Sequence, residues 1–378
     1  MIETNSLKQP LSLKISSSIF VVLWCVIASF PILWITVMSV KLPIDAFSSN
    51  PLTVIFGPLT SNERNYLSFQ DLLFCTFVLT IFIKFRAKLY NFYDKFINFN
   101  ETINIIFFYI FSIILFYLAF KSFNYFIPVL DVLDFKSLGY TFEHYQTVWV
   151  ERGFSIYFKN SVIVTFGVVI VSLTFGTLAG FALARSNSSI AFWILVIALI
   201  FRALPHSILV AGYLPFFMNS SEILRPILGD LAPTLFGKPM AVIAVLVAIN
   251  QPFTIWLMRS FFQNIPSELD EAARIDGCSH FQAFLKIIMP IMWPGVITTG
   301  LFSFMLGYND YLVTSLLLDA QNQTMVPAIS GLFNRDTSTT DQVVAVAAAV
   351  SITAPLFLLV LFFQKQIVSG LTAGAVKG

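Results

Sequence analysis

Apolar residues dominate the chain and gather into long runs separated by short polar stretches. A helix needs about 20 consecutive apolar residues to cross the hydrocarbon of a bilayer. Eight runs approach that length: roughly Ile19 to Val40, Tyr66 to Phe85, Ile103 to Phe120, Ser161 to Ala184, Ile190 to Phe217, Met240 to Met258, Ile291 to Leu318 and Val343 to Phe363. The fifth contains Pro205 and Pro215 and is expected to break at both. The first holds Trp24 and Trp34, is long for a secretory signal and lacks a small-residue cleavage pattern, so it reads as a retained helix. The pattern predicts an all-α integral membrane protein with about eight transmembrane helices.

Composition agrees. Of 378 residues, 57% are hydrophobic and only 11% charged, against about 25% charged in soluble domains; the mean hydropathy is +0.82. With 42 Phe the chain is too apolar for disorder. The net charge of +2 offers nothing to nucleic acid. Cys25, Cys75 and Cys278 are too far apart to form a disulfide framework or a metal motif.

Topology follows from the basic residues between spans. An even span count places both termini on one side. With both in the cytoplasm, twelve of the 22 Lys and Arg fall in inner segments. The compact group Lys84, Arg86, Lys88 and Lys95, between the second and third spans, weighs most because it lies close to two helix ends. Those two spans differ from the rest. Residues 66–126 are crowded with Phe, Ile, Tyr and Asn, whereas the later spans are rich in Ala, Gly, Val and Ser, the residues that let helices approach closely. The later spans read as a packed bundle. The Phe-rich pair reads as an added, lipid-facing hairpin that enters and leaves from one side.

The segment from Asn264 to Pro290, between spans six and seven, is too polar for hydrocarbon: Glu268, Asp270, Glu271 and Asp276 lie within nine residues. It predicts two short helices. Ser267 is placed to cap the first, whose acidic residues sit at its positive end. Gly277 suits the left-handed residue that ends it. Ser279 and Gln282 have capping-box spacing and open the second, and Pro290 interrupts the hydrogen-bond pattern where that helix meets span seven. Leu269, Ala272 and Ala273 line one side of the first helix, and Phe281, Phe284, Leu285 and Ile288 one side of the second. Helices this short are marginal alone, so they pack on the protein's own inner surface or in a groove of a soluble partner.

The spacing Glu271-Ala272-Ala273, then Gly277, then Ile287, then Met289-Pro290 resembles the EAA loop of ABC importer permeases, with Met289 where the family usually has Leu. Thr141-Phe142-Glu143-His144-Tyr145 followed by Lys159-Asn160-Ser161 resembles the entry to that family's permease core. The tail Leu371 to Gly378 is similar to that of binding-protein-dependent carbohydrate permeases of the maltose-transport second-permease type, and Gly307 to Tyr311 resembles a segment that usually carries Trp-Asn. The resemblance covers span one and about residues 138–378. It implies a six-helix permease core plus the inserted hairpin, divided as 1–45 (tail and first helix), 46–137 (external loop with the hairpin) and 138–378 (core with a cytoplasmic coupling loop, 264–290). It also implies a second permease subunit, a cytoplasmic ATPase dimer, an external solute-binding protein and a sugar substrate, in the bacterial cytoplasmic membrane. Carried over, Glu271, Ala272, Ala273 and Gly277 are the coupling positions; Asp276, Phe281, Phe284 and Pro290 belong to the same elbow.

No phosphate loop occurs, since Gly237-Lys238 is followed by Pro239. Metal spacings are missing, and His144, His206 and His280 are scattered, so neither an enzyme nor a resident cofactor is expected. Arg202, deep in span five, either lines a pathway or pairs internally. Asn250 and Gln251, just before Pro252, either face a water-filled path or bond between helices. Tyr308, Asn309 and Asp310 combine hydrogen-bonding groups with aromatic faces that suit a sugar, or serve packing. Gly176 to Gly180 has small-residue spacing for a helix contact. The favoured function is a carbohydrate permease; the alternatives are an importer permease for a polyamine or another small solute, and an ion-driven secondary transporter, which should show intramembrane carboxylates and an internal repeat.

Overall fold

The computed structural model describes residues 11–94, 101–126, 136–186, 188–333 and 338–373. Two compact units divide the chain, one of residues 1–145 and 337–350, the other of 146–336 and 351–378. Lys95 of the basic group and residues 374–378 of the tail lie outside the described residues.

In the first unit, α1 (Leu11–Met38) is apolar on all sides and exposes nearly every large side chain, as a helix in lipid does. Three short helical turns follow, Pro43–Ala46, Pro51–Phe56 and Pro58–Glu63, each opened by proline, whose missing N–H costs nothing there. The hairpin does not begin as a helix. Asn65–Ser68 forms strand β1; then come α2 (Phe69–Asp94) and α3 (Glu101–Phe126), and Lys136–Tyr140 returns as β2, antiparallel to β1. The pairing runs from Asn65 opposite Tyr140 to Ser68 opposite Lys136 and closes the base of the hairpin. Ser68 and Asp71 cap α2 reciprocally, each side chain accepting the other's backbone N–H. Buried Phe108 of α3 meets Phe82 and Tyr90 of α2 at 6.2 and 5.4 Å between ring centroids, while rings such as Phe77 and Phe111 stay exposed.

A polar knot sits beside the ribbon. Buried Lys41 donates to the Gly139 carbonyl. Asp45 accepts from both the N–H and the hydroxyl of Thr60 at 2.7 Å. A ring nitrogen of His144 bonds the Lys41 carbonyl at 2.8 Å, and Ser39 and Tyr145 share a hydroxyl contact of 2.7 Å.

The second unit holds α4 (Phe154–Arg185), α5 (Ser189–Arg202), α6 (His206–Met218), α7 (Pro239–Phe262), α8 (Glu268–Ile275), α9 (His280–Ala283), a π-helical turn at Phe284–Ile288, and α10 (Met289–Tyr308). After Leu312–Leu317 and Met325–Phe333 comes α11 (Thr339–Ala373), which this unit contains from Ser351 on. Helices α4, α7 and α10 form its centre. A Cβ on Gly176 would lie 2.3 Å from the Thr254 methyl, and one on Gly180 would lie 2.7 Å from Met258 Cβ, so the small-residue spacing serves contact within the chain. Val164, Val168, Val245, Leu246, Val313 and Leu317 belong to one buried cluster; Met258, Phe262, Phe284 and Ile288 belong to another beneath the acidic segment.

Every apolar run becomes helical, and the all-α membrane fold stands apart from one two-stranded ribbon. Among the described residues, five helices are long and apolar enough to cross a membrane: Ile15–Met38, Phe154–Arg185, Pro239–Phe262, His280–Tyr308 and Thr339–Gln364. The fifth run is two helices of 14 and 13 residues. It breaks at Pro205 but not at Pro215, which α6 absorbs. The seventh run ends at Tyr308, ten residues early, because Asp310 Oδ1 accepts the Thr314 N–H at 2.9 Å and starts a new helix.

Candidate functional site

The acidic segment folds into the expected elbow, with corrections of detail. Ser267 occupies the position before α8 but is itself helical, at φ −67° and ψ −22°, and its side chain caps nothing. Gly277 adopts φ +90°. Around it the Gly277 N–H bonds the Arg274 carbonyl and the Cys278 N–H bonds the Ala273 carbonyl, each at 3.0 Å, the double closure of a Schellman end. No atom lies within 4 Å of where a Gly277 Cβ would stand, so the backbone angle alone demands glycine. Ser279 and Gln282 make the full capping box. Pro290, which has no N–H to give to an earlier carbonyl, follows directly on the π-helical turn and enters α10 at its second residue.

The two apolar faces are split by the fold. Ala273, Phe284 and Ile288 turn inward, with Phe284 4.9 Å from the Phe181 ring of α4. Ile275 at 86% exposure, Phe281 at 61% and Leu285 at 48% turn outward, beside exposed Glu271, Ala272 and Asp276. The expected alignment of Phe281 and Leu285 with Phe284 and Ile288 is therefore corrected. Bonding i→i+5 in the turn slows the rotation per residue and keeps Phe284 and Ile288 together while Leu285 swings away. Although it remains exposed, Phe281 stacks on Phe284 at 6.4 Å.

Arg185, the last residue of α4, holds the elbow in place. Its Nε meets Asp270 Oδ2 at 2.5 Å, and its Nη1 donates to the carbonyls of Phe262 and Ile265 at 3.3 and 3.1 Å. The sequence reading counted Arg185 only as a loop charge. Nothing along the chain ties it to a carboxylate 85 positions later.

The pathway candidates are dispersed through the second unit. Arg202 ends α5, with its guanidinium 4.6 Å over the Phe253 ring and its Nε buried without a hydrogen-bond partner. Buried Asn250 donates to Ser303 of α10 at 2.7 Å, and Gln251 donates to the Ser172 carbonyl of α4 at 3.5 Å. Tyr308 is buried, stacks on Phe304 at 5.2 Å and donates to the Ile352 carbonyl at 2.9 Å. Asn309 is exposed and follows α10, and Asp310 caps the next helix. Asn250 and Gln251 thus join α4, α7 and α10 in one polar layer, while Tyr308 to Asp310 lie at the end of α10 away from the elbow.

Residues 172–372 match the family described as "Binding-protein-dependent transport system inner membrane component". The chain is 32% identical over 248 residues to the maltodextrin transport system permease protein MdxG of Bacillus subtilis, covering 65% of this chain and 84% of that one. It is 34% identical over 241 residues to the diacetylchitobiose uptake system permease protein DasC of Streptomyces coelicolor, covering 63% and 81%. To the trehalose/maltose transport system permease protein MalG of Thermococcus litoralis it is 32% identical over 249 residues, covering 65% and 84%.

Proposed function

The chain belongs to the binding-protein-dependent transport system inner membrane components, and from that premise we propose that it is a pathway-forming permease of an ATP-driven importer for a carbohydrate. The three relatives named above carry sugars in their names. The observation that carries the reading is the elbow of α8 and α9. It is too charged for lipid, anchored from behind, and presents Ile275, Phe281 and Leu285 outward among Glu271 and Asp276. An apolar ridge rimmed by carboxylates fits a groove on a soluble partner, and the partner chemistry is that of a cytoplasmic ATPase, two copies of which serve this chain and a second permease. An external binding protein delivers the sugar.

On this reading both termini and the elbow are cytoplasmic, and the protein crosses the bacterial inner membrane several times. Residues 138–378 are the permease core, 1–45 supply the first helix, and 46–137 add the hairpin. Closure of the ATPase pushes the elbow, and α4, α7 and α10 rearrange around the layer of Asn250 and Gln251; Arg202 and the Tyr308 to Asp310 segment are the remaining candidates for contact with the solute.

The test is reconstitution in liposomes with the ATPase, second permease and binding protein encoded beside it. Uptake of a radiolabelled sugar that requires ATP on the elbow side supports the proposal. Uptake at full rate without the ATPase, or an elbow reached by reagents only from outside the cell, overturns it.

A further inference from the structure

We infer that Arg185 is the positioning residue through which movement of the elbow passes to the membrane-spanning helices. The inference rests on the coupling role proposed for the elbow and adds the link between elbow and bundle.

One side chain holds three helix ends. Arg185 closes α4, binds the Phe262 carbonyl that ends α7 and the Ile265 carbonyl just beyond, and pairs with Asp270 in the first turn of α8. Both charges suit their own helices, a cation at the negative C-terminus of α4 and a carboxylate at the positive N-terminus of α8. The side chains are 21% and 18% exposed, so neither charge is well solvated without the other. Phe181, one turn back on α4, lies 5.7 Å from the guanidinium and also contacts Phe262 and Phe284. The ionic contact therefore sits on an aromatic base shared by α4, α7 and the π-helical turn.

The pair is also incompletely closed. Arg185 Nη2 and Asp270 Oδ1 are both buried and both lack a hydrogen-bond partner. Only Nε and Oδ2 are engaged between the two groups, leaving a spare donor and a spare acceptor on the same two side chains. A small rotation of α8 converts this end-on contact into the two-bonded fork that guanidinium and carboxylate favour. The joint thus has two arrangements, a requirement for any element that transmits a change of state. Beyond it α4 is stiffly meshed with α7 at Gly180 and Gly176. Ser172, which receives Gln251, lies 13 residues from Arg185, roughly 20 Å along a helix.

Lysine keeps the charge but loses the fork. Exchanging the two residues is uninformative, because an aspartate at 185 would face the carbonyls that Arg185 now binds. The test uses the assembled complex with its ATPase, Cys25, Cys75 and Cys278 changed to Ser, and a reporter thiol introduced as Q251C. Thiol labelling is compared without nucleotide and with ATP plus vanadate. The original pair should show a change in labelling between the two states. D270N and R185K should lose that change while ATPase copurification and ATP hydrolysis persist, and D270E should keep it. Retention of the change in both D270N and R185K overturns the inference, as does loss of ATPase copurification in both, which makes the pair a folding brace. If the original pair shows no change, the coupling reading beneath the inference falls with it.

Discussion

Asn250 Nδ2 donates to Ser303 Oγ across 2.7 Å, joining α7 to α10 where both side chains are fully buried. Hydrogen bonds between helices in a membrane contribute modestly, because a loosened helix finds other partners. N250A is therefore expected to lower stability by about 0.6 kcal/mol, read from thermal unfolding in detergent. A transport defect much larger than that loss would mark Asn250 as a pathway residue.

Gly180 and Gly212 make opposite predictions. A Cβ at 180 meets Met258 Cβ at 2.7 Å and the Arg259 amide nitrogen at 3.0 Å, whereas one at 212 meets nothing within 4 Å. G180V should destabilise the bundle by about 1–3 kcal/mol through overpacking. G212A, in the interior of α6, should stabilise by about 0.5–1 kcal/mol. Yields of folded protein and unfolding midpoints of the two variants test the contrast.

Gly277 holds φ +90° with open space around it. A side chain there costs roughly 1–2 kcal/mol in the left-handed region, enough to fray the end of α8 but too little to unfold the bundle. G277L should insert normally and lose uptake or ATPase copurification. Normal uptake would count against the docking role.

Burial of Lys41 pulls its amine down to about 8, against a smaller opposing pull from Asp45. The unfolded chain keeps the proton to higher pH than the folded one, so unfolding takes up a proton between the folded and ordinary values. Stability contributed by this group therefore rises with pH through that window, and below about pH 8 the cost of the buried charge is fully present. The unfolding midpoint should rise from about pH 7.5 to about pH 9.5, and K41M should flatten the rise.

A reporter fused at Lys88, on the exposed side of α2 near the tip of the hairpin, should report from the cytoplasm. An external signal would reverse the orientation argued from the basic residues.

Local chemistry was legible in the sequence. The capping box at Ser279 and Gln282, the glycine end at Gly277 and the break at Pro205 each depend on a few adjacent residues. Features made by distant partners were not. The β1–β2 ribbon pairs residues more than 60 positions apart, and the Asp270 partner of Arg185 stands 85 positions away. Ser267 failed as a cap because its backbone had already turned helical. Phe281 and Leu285 were assigned to the wrong face because a uniform helical period was assumed across a π-helical turn.

Ser68 and Lys136 stand opposite one another in the ribbon, so everything from Phe69 to residue 135 departs from and returns to a single point. Such a piece is a graft. An ancestor could have acquired it, and an engineer could exchange it for a tight turn, without rethreading a single helix downstream.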